Sequence, residues 1–361
     1  MRGLILVASL LAACQAPGDV SLSTSTTQGD DVATTQGASS SEASTGASTF
    51  DTSAAESTAA DATSSSTTVD DTSTSGTTGS DTTTGGTTGQ AIKTCKKVDL
   101  LFMIVDRGEL WDTDAALNQL MPHLAERLET DFAEWDYHLM VVNSSGTWGD
   151  EVCEGACDEG EVCEWDTPYP CDYAPDACDL TLGAGVMFPA GSGASNVRCP
   201  IDGGKRYLAS GQQDLADTLE CVRRVGFGYG YGDVAKHRVA RATLDALDGP
   251  LNAPGACNAG FFREDAYLIL FVLSTIPDFH SDGTPAAWTQ ELKGHKGGKF
   301  DKIYFIGLFQ GCDSAFGWKE YEPLNEWVSS LYHHALDDAC TGELVPYVDP
   351  ALDYVLDDCR E

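Results

Sequence analysis

From residue 98 onward two hydrophobic rhythms alternate along the chain. The run 98–105 (VDLLFMIV) is almost continuously apolar and β-branched at its ends, the pattern of a strand buried on both faces. In 112–128 the apolar residues Ala116, Leu117, Leu120, Met121, Leu124 and Leu128 recur at helical spacing. The same reasoning predicts strands over 137–142, 266–273 and 302–309, and a short last strand over 344–348. It predicts helices over 214–225, 233–247, 286–293, 323–336 and 350–358, the first two opening with Asp near the positive end of a helix dipole. Buried strands alternating with amphipathic helices predict an α/β fold: a doubly wound, mostly parallel sheet with helices on both faces.

Two stretches break the rhythm. Residues 150–200 carry six cysteines and little periodicity, so they read as an insertion held by disulfides because it cannot build its own core. The carboxylates at Asp158, Glu159, Glu161, Glu164, Asp166, Asp172, Asp176 and Asp179 lack the regular spacing of a calcium loop, and read as a solvated acidic loop. The glycine-rich run 226–232 follows a predicted helix and has no Gly-Lys-Ser/Thr, so it is a loop needing unusual φ, not a phosphate cradle.

Upstream of the domain there is no such rhythm. Arg2 precedes a short apolar run, 4–13, that ends Leu11-Ala12-Ala13-Cys14. The run is too short to span a bilayer and reads as a signal peptide over 1–13. The ending resembles the bacterial lipobox, which implies lipidation of Cys14, a membrane anchor through the lipid, and localisation as an outer-membrane lipoprotein. Residues 15–91 hold one aromatic, Phe50, and no Lys or Arg. Such a Ser/Thr-rich chain cannot bury enough apolar surface to offset its conformational entropy, so 14–92 is expected to be a disordered linker. As a coil it spans about 50 Å r.m.s.. The organisation is therefore signal peptide, lipidated linker, and a domain over 93–361 with an insertion at about 150–200.

Charge and cysteine narrow the class further. The chain has 56 acidic and 21 basic residues, net −35; ten of the acidic residues and one basic residue precede the domain. A domain so acidic is repelled by nucleic acid and by anionic headgroups, and favours basic partners. Of thirteen cysteines, Cys14 is assigned to the lipid. That leaves Cys95, Cys153, Cys157, Cys163, Cys171, Cys178, Cys199, Cys221, Cys257, Cys312, Cys340 and Cys359, an even set in an exported chain, hence six expected disulfides of unassigned pairing. A zinc–thiolate reading of Cys153, Cys157 and Cys163 lacks a clean CxxC pair and a nearby His.

Val98-Asp99-Leu100-Leu101-Phe102 and 258–266 (NAGFFREDA) resemble, respectively, the first strand and the segment leading into the fourth strand of the von Willebrand factor type A domains of myxobacterial-type secreted lipoproteins. The resemblance implies a metal-ion-dependent adhesion site, in which Asp, Ser, Ser, Thr and Asp oxygens at the strand ends hold Mg2+. This chain departs from it. One register puts Val105, Arg107 and Glu109 where Asp, Ser and Ser belong; sliding by one recovers Asp106 but places Gly108 and Leu110 at the Ser positions. The fourth strand ends Leu273-Ser274-Thr275 with Asp278 as the nearest Asp, and the Thr position falls near Phe227 or Tyr229. The expectation is a degenerate site without metal or cofactor. There Arg107 takes the place of the ion's charge, pairs with Glu109, Asp112 or Asp278, or meets a ligand carboxylate.

The functional expectation is a cell-surface binding module for a protein or glycan, acting in adhesion and not as an enzyme. A divalent-metal version, taking Mg or Ca and using Asp106, Glu109 and Asp278, is the first alternative. A secreted hydrolase is the second. It would draw on His280-Ser281-Asp282, since the sequence has neither Gly-x-Ser-x-Gly nor His-Glu-x-x-His. His333-His334 is expected on a helix surface.

Overall fold

A computed structural model describes residues 95–106, 111–150, 153–155, 157, 168–226, 237–310 and 316–359. The elements are β1 (Lys97–Ile104), α1 (Trp111–Thr130), β2 (Asp136–Asn143), β3 (Leu208–Ala209), α2 (Leu215–Arg223), α3 (Val239–Leu247), α4 (Gly249–Asn252), β4 (Tyr267–Ser274), α5 (Pro285–His295), β5 (Ile303–Phe309), α6 (Glu322–Ser329), β6 (His333–Asp338) and α7 (Val345–Asp358). The six strands form one sheet in the order β3-β2-β1-β4-β5-β6. All pairs are parallel except β2 with the two-residue β3.

The continuous apolar runs are central strands because both faces of the sheet are covered. Leu100, Phe102 and Ile104 of β1 pack into a core with α1, α2 and α7. Leu101 and Met103 point the other way, into a second core with α3, α5 and α6. This is the doubly wound α/β architecture expected from the pattern. Each fully buried Leu, Ile or Phe in these layers contributes roughly 1.5–3 kcal/mol of transfer free energy.

Some expected elements are corrected. The helix expected over 323–336 ends at Ser329, and the chain returns as the edge strand β6, so His333 and His334 lie on a strand. Helical spacing of Leu331, Ala335 and Leu336 had imitated a continuing helix; an edge strand with partly exposed side chains lacks the apolar run that marks a buried one. The strand expected over 344–348 is the first turn of α7, which begins at Val345, one residue before Pro346, and tolerates that Pro in its first turn. Asp214 does not cap α2: it sits at φ 48 and makes no side-chain cap bond. The helix expected from 233 begins, among the described residues, at Val239.

The insertion is fastened at several points. Cys157 pairs with Cys171 inside it, Cys178 with Cys257 before β4, and Cys199 with Cys221 on α2. Cys95 pairs with Cys359, joining the start of β1 to the end of α7. Cys153 and Cys340 are disulfide-bonded as well. Cys14, Cys163 and Cys312 lie outside the described residues. In place of a large core, the insertion gathers Trp148, Tyr173 and Phe188, with Tyr173 and Phe188 4.2 Å apart. Arg206 is buried beneath it and donates to Asp176 and Asp179 at 2.7 and 2.8 Å. Gly226, the one described residue of the glycine-rich run 226–232, adopts φ 82, and a Cβ there would meet Ala194 Cβ at 2.8 Å; residues 227–232 lie outside the described residues.

Candidate functional site

Register decides which residues meet at the carboxyl edge of the sheet. Ile104 pairs with Asn143 of β2 on one side and Leu273 of β4 on the other. The residues that follow these three strands therefore emerge level with one another. Strand order reverses between β1 and β4, the place where open α/β sheets form a crevice.

Val105 does not enter this crevice. It prolongs β1, donating its N–H to the Leu273 carbonyl at 3.0 Å, and its side chain is in the core. Asp106 enters, 1% exposed. Its Oδ1 accepts from Ser144 Oγ at 2.6 Å and from Ser144 N at 3.2 Å, and its Oδ2 accepts from Ser145 Oγ. The hydroxyls thus come from the loop after β2, not from the loop after β1 where the resemblance placed them.

A histidine completes the cluster. His237, just before α3, places Nδ1 2.8 Å from Ser144 Oγ and 3.4 Å from Asp106 Oδ1. Ser144 gives its one hydroxyl proton to Asp106, so Nδ1 must carry the proton that Ser144 accepts. This is not a relay for nucleophilic catalysis. A Ser-His-Asp triad needs the imidazole between the two partners, one on each nitrogen. Here one nitrogen faces both, and Ser144 is fully buried.

The second carboxylate is equally engaged. Asp278, 8% exposed, accepts from Ala240 N at 2.7 Å, Ser281 N at 2.9 Å and His280 N at 3.3 Å. Ser281 Oγ accepts from Arg241 N at 2.9 Å. The loop after β4 therefore caps the first-turn amides of α3, which have no partner inside their own helix. Between the two anchors stand the exposed Phe279 and His280, with Phe279 edge-on to Phe316 at 5.8 Å. His280, Ser281 and Asp282 are not joined by side-chain hydrogen bonds among the described residues; Ser281 serves as the cap, and Asp282 offers only its carbonyl, to Trp288 Nε1.

Ser274 turns back on its own backbone, donating to the Ile276 carbonyl at 2.7 Å. Next to it Thr275 Oγ1 is buried without a hydrogen-bond partner among the described residues, as is Gln310 Oε1 just after β5. Arg107 and Glu109 lie outside the described residues, as do Phe227 and Tyr229. Among the described residues no three His, Cys, Asp or Glu side chains gather as a metal site. Asp106 accepts from two serine hydroxyls and the Ser144 amide, and Asp278 from three amides, so each carboxylate ties its own strand end to a neighbouring loop.

The two segments that carry the family resemblance meet at the opposite edge. Asp99 of β1 is fully buried and accepts from Arg263 Nε and Arg263 N, both at 2.8 Å. Lys296 is buried beside them and donates to the Arg263 and Ala266 carbonyls at 2.7 and 2.9 Å. Burial pushes the Asp99 carboxyl up to about 6 against the pull of Arg263 and Lys296, and pushes Lys296 down to about 8. Burial also lowers His138, which contacts the Phe261 carbonyl, to about 4. These motif residues thus form a structural ion cluster tying β1 to the approach to β4.

Sequence reasoning found Asp106 and Asp278 but missed Ser144, Ser145 and His237. The serine pair carried a usable signal: two hydroxyls directly after a buried parallel strand, at the edge where sites form. His237 carried none, lying inside what read as one helix. The sequence matches no protein-family model and no curated protein.

Proposed function

We propose that this chain is a lipid-anchored, cell-surface binding module: a von Willebrand factor type A-like domain whose strand-end site no longer holds Mg2+, displayed on a flexible linker from Cys14 in the outer membrane, for adhesion to a protein or glycan. It is not an enzyme. The observation that carries this reading is the use of Asp106 and Asp278 as internal struts. Asp106 accepts from the buried Ser144 and Ser145, and Asp278 from Ala240 N of α3 and from the loop amides of His280 and Ser281, so both carboxylates are committed to holding their loops. What the struts hold outward is Phe279, 49% exposed, on a loop fixed at both ends. A rigid aromatic at a loop tip supplies contact area with little ordering entropy. The family reading draws further support from the ion pair of Asp99 and Arg263, which makes one structural unit of the two resembling segments.

The test is binding of the oxidised, labelled full chain to envelope fragments of the producing cells. Saturable binding that persists in EDTA and falls at least tenfold with Phe279→Ser supports the reading. Absence of saturable binding, or binding indifferent to Phe279→Ser, opposes it. The metal-dependent alternative is favoured by one observation, the orphaned buried Thr275 Oγ1, an oxygen of the type a hard cation takes. It requires that EDTA abolish the binding.

A further inference from the structure

A chain of aromatic rings runs from the sheet interior to its β6 edge, away from the strand-end crevice. Tyr267, at the start of β4, is buried, and its hydroxyl donates to Asp358. Tyr354 of α7 packs edge-on to it at 6.5 Å and donates its hydroxyl to the Asp301 carbonyl. Tyr304 lies 5.9 Å from Tyr354, and His333 lies 4.1 Å from Tyr354 and stacks on Tyr304 at 17°. The last ring, Tyr332, stands perpendicular to His333 at 4.6 Å and is 81% exposed.

So exposed a tyrosine is ordinarily a solvated side chain. This one is braced: each ring behind it rests on the next, and two of those rings are pinned through their hydroxyls. The hydroxyls of Tyr304 and Tyr332 have no hydrogen-bond partner among the described residues. The strip therefore offers the exposed Tyr332 ring, backed by the half-buried His333, Tyr304 and Tyr354, with hydrogen-bonding rims held in place before any ligand arrives.

Chemistry narrows the occupant. Nucleic acid and acidic polymers are repelled by a chain of net charge −35. A lone cation prefers rings that enclose it; these rings follow one another in a chain instead of surrounding a point, and Lys302 already sits 5.4 Å over Tyr267. Burial holds His333 below the ordinary histidine range, so its ring is uncharged at neutral pH. A neutral sugar chain meets every condition: apolar C–H faces for the rings, hydroxyls for the rims, and no charge. We propose that the Tyr332–His333–Tyr304–Tyr354 strip is a stacking platform for a neutral polysaccharide. This inference rests on the binding-module reading and names a ligand class for it.

The test is native affinity electrophoresis of the full chain through gels containing dextran, glucomannan or hydroxyethylcellulose, with alginate as the acidic counterpart and poly-L-lysine as the basic one. We expect retardation by at least one neutral polymer and none by alginate. Tyr332→Ala should weaken that retardation at least tenfold at an unchanged melting temperature, since the side chain is exposed, and Tyr332→Phe should largely restore it. Failure of all three neutral polymers to retard the chain overturns the inference, as does retardation that Tyr332→Ala leaves intact. Retardation by poly-L-lysine alone, lost in Tyr332→Ala, overturns it in favour of a basic peptide. Saturable envelope binding with every neutral gel negative overturns the platform and leaves the binding-module reading standing.

Discussion

Replacing Asp278 by alanine removes the acceptor of three backbone N–H groups. Two of them, Ala240 N at 2.7 Å and Ser281 N at 2.9 Å, are well placed, and the third, His280 N at 3.3 Å, is weak. A hydrogen bond to a charged group contributes roughly 1.5–3 kcal/mol, and stripping a helix of its first-turn acceptor costs about 0.5–2 kcal/mol. The contributions overlap at Ala240, so the expected loss for Asp278→Ala is about 3–4 kcal/mol. For a domain of this size that lowers the melting temperature by roughly 10 °C. Asp278→Asn keeps one acceptor oxygen and should lose about half as much. The assay is urea unfolding of the oxidised full chain, in EDTA and again in millimolar Mg2+. A strut predicts the same loss in both buffers with an unchanged urea dependence. A loss below about 0.5 kcal/mol, or one that appears only with Mg2+, refutes the strut.

Three further outcomes are expected. The Asp99 carboxyl, at about 6 in the folded state against 3.8 unfolded, supplies stability that is fully present below pH 3.8 and lost as pH rises through 6. The wild type minus Asp99→Asn stability difference should therefore shift in favour of the wild type by about 2.4 kcal/mol from pH 7 to pH 4; a flat difference in urea titrations would sink this. Removing the Cys95–Cys359 bridge, which closes 264 residues, should cost about 2 kcal/mol more than removing Cys199–Cys221, which closes 22, on chain-entropy grounds. Double Cys→Ala variants in which the shorter bridge matters more would contradict that ordering. Gly307→Ala places a Cβ 2.6 Å from Val328 Cγ2 and 2.8 Å from the Phe309 ring, and should destabilise by about 1–3 kcal/mol through overpacking. A neutral result by thermal melt would mean that α6 yields more easily than its packing implies.

What the sequence disclosed follows from burial. β1, β4 and β5 were legible because burial on both faces demands unbroken apolar runs. β6 was not, because an edge strand reading HHALDD carries half-exposed and charged positions, and β3 is too short to have a pattern. At the site, Asp106 was reachable by sliding the register, since a carboxylate ending an apolar strand stands out. The partners that hold it come from the loop after β2 and from the residue before α3, contacts 38 and 131 positions away that only the sheet order brings together. The disulfide pairing was closed to sequence reasoning for the same reason: Cys178 reaches 79 residues to Cys257 because the insertion folds back toward the approach to β4.

Whether the strand-end oxygens serve the fold or an ion is decided by thermal melts of the oxidised full chain with Mg2+, Mn2+ or Ca2+ against EDTA. An ion that binds only the folded state at a hundredfold excess over its Kd adds about 2.7 kcal/mol, a rise of roughly 5–10 °C. No shift is expected with Mg2+ or Mn2+. A rise of that size with either ion, abolished by Asp106→Ala, would contradict it and make metal-dependent adhesion the function of this domain.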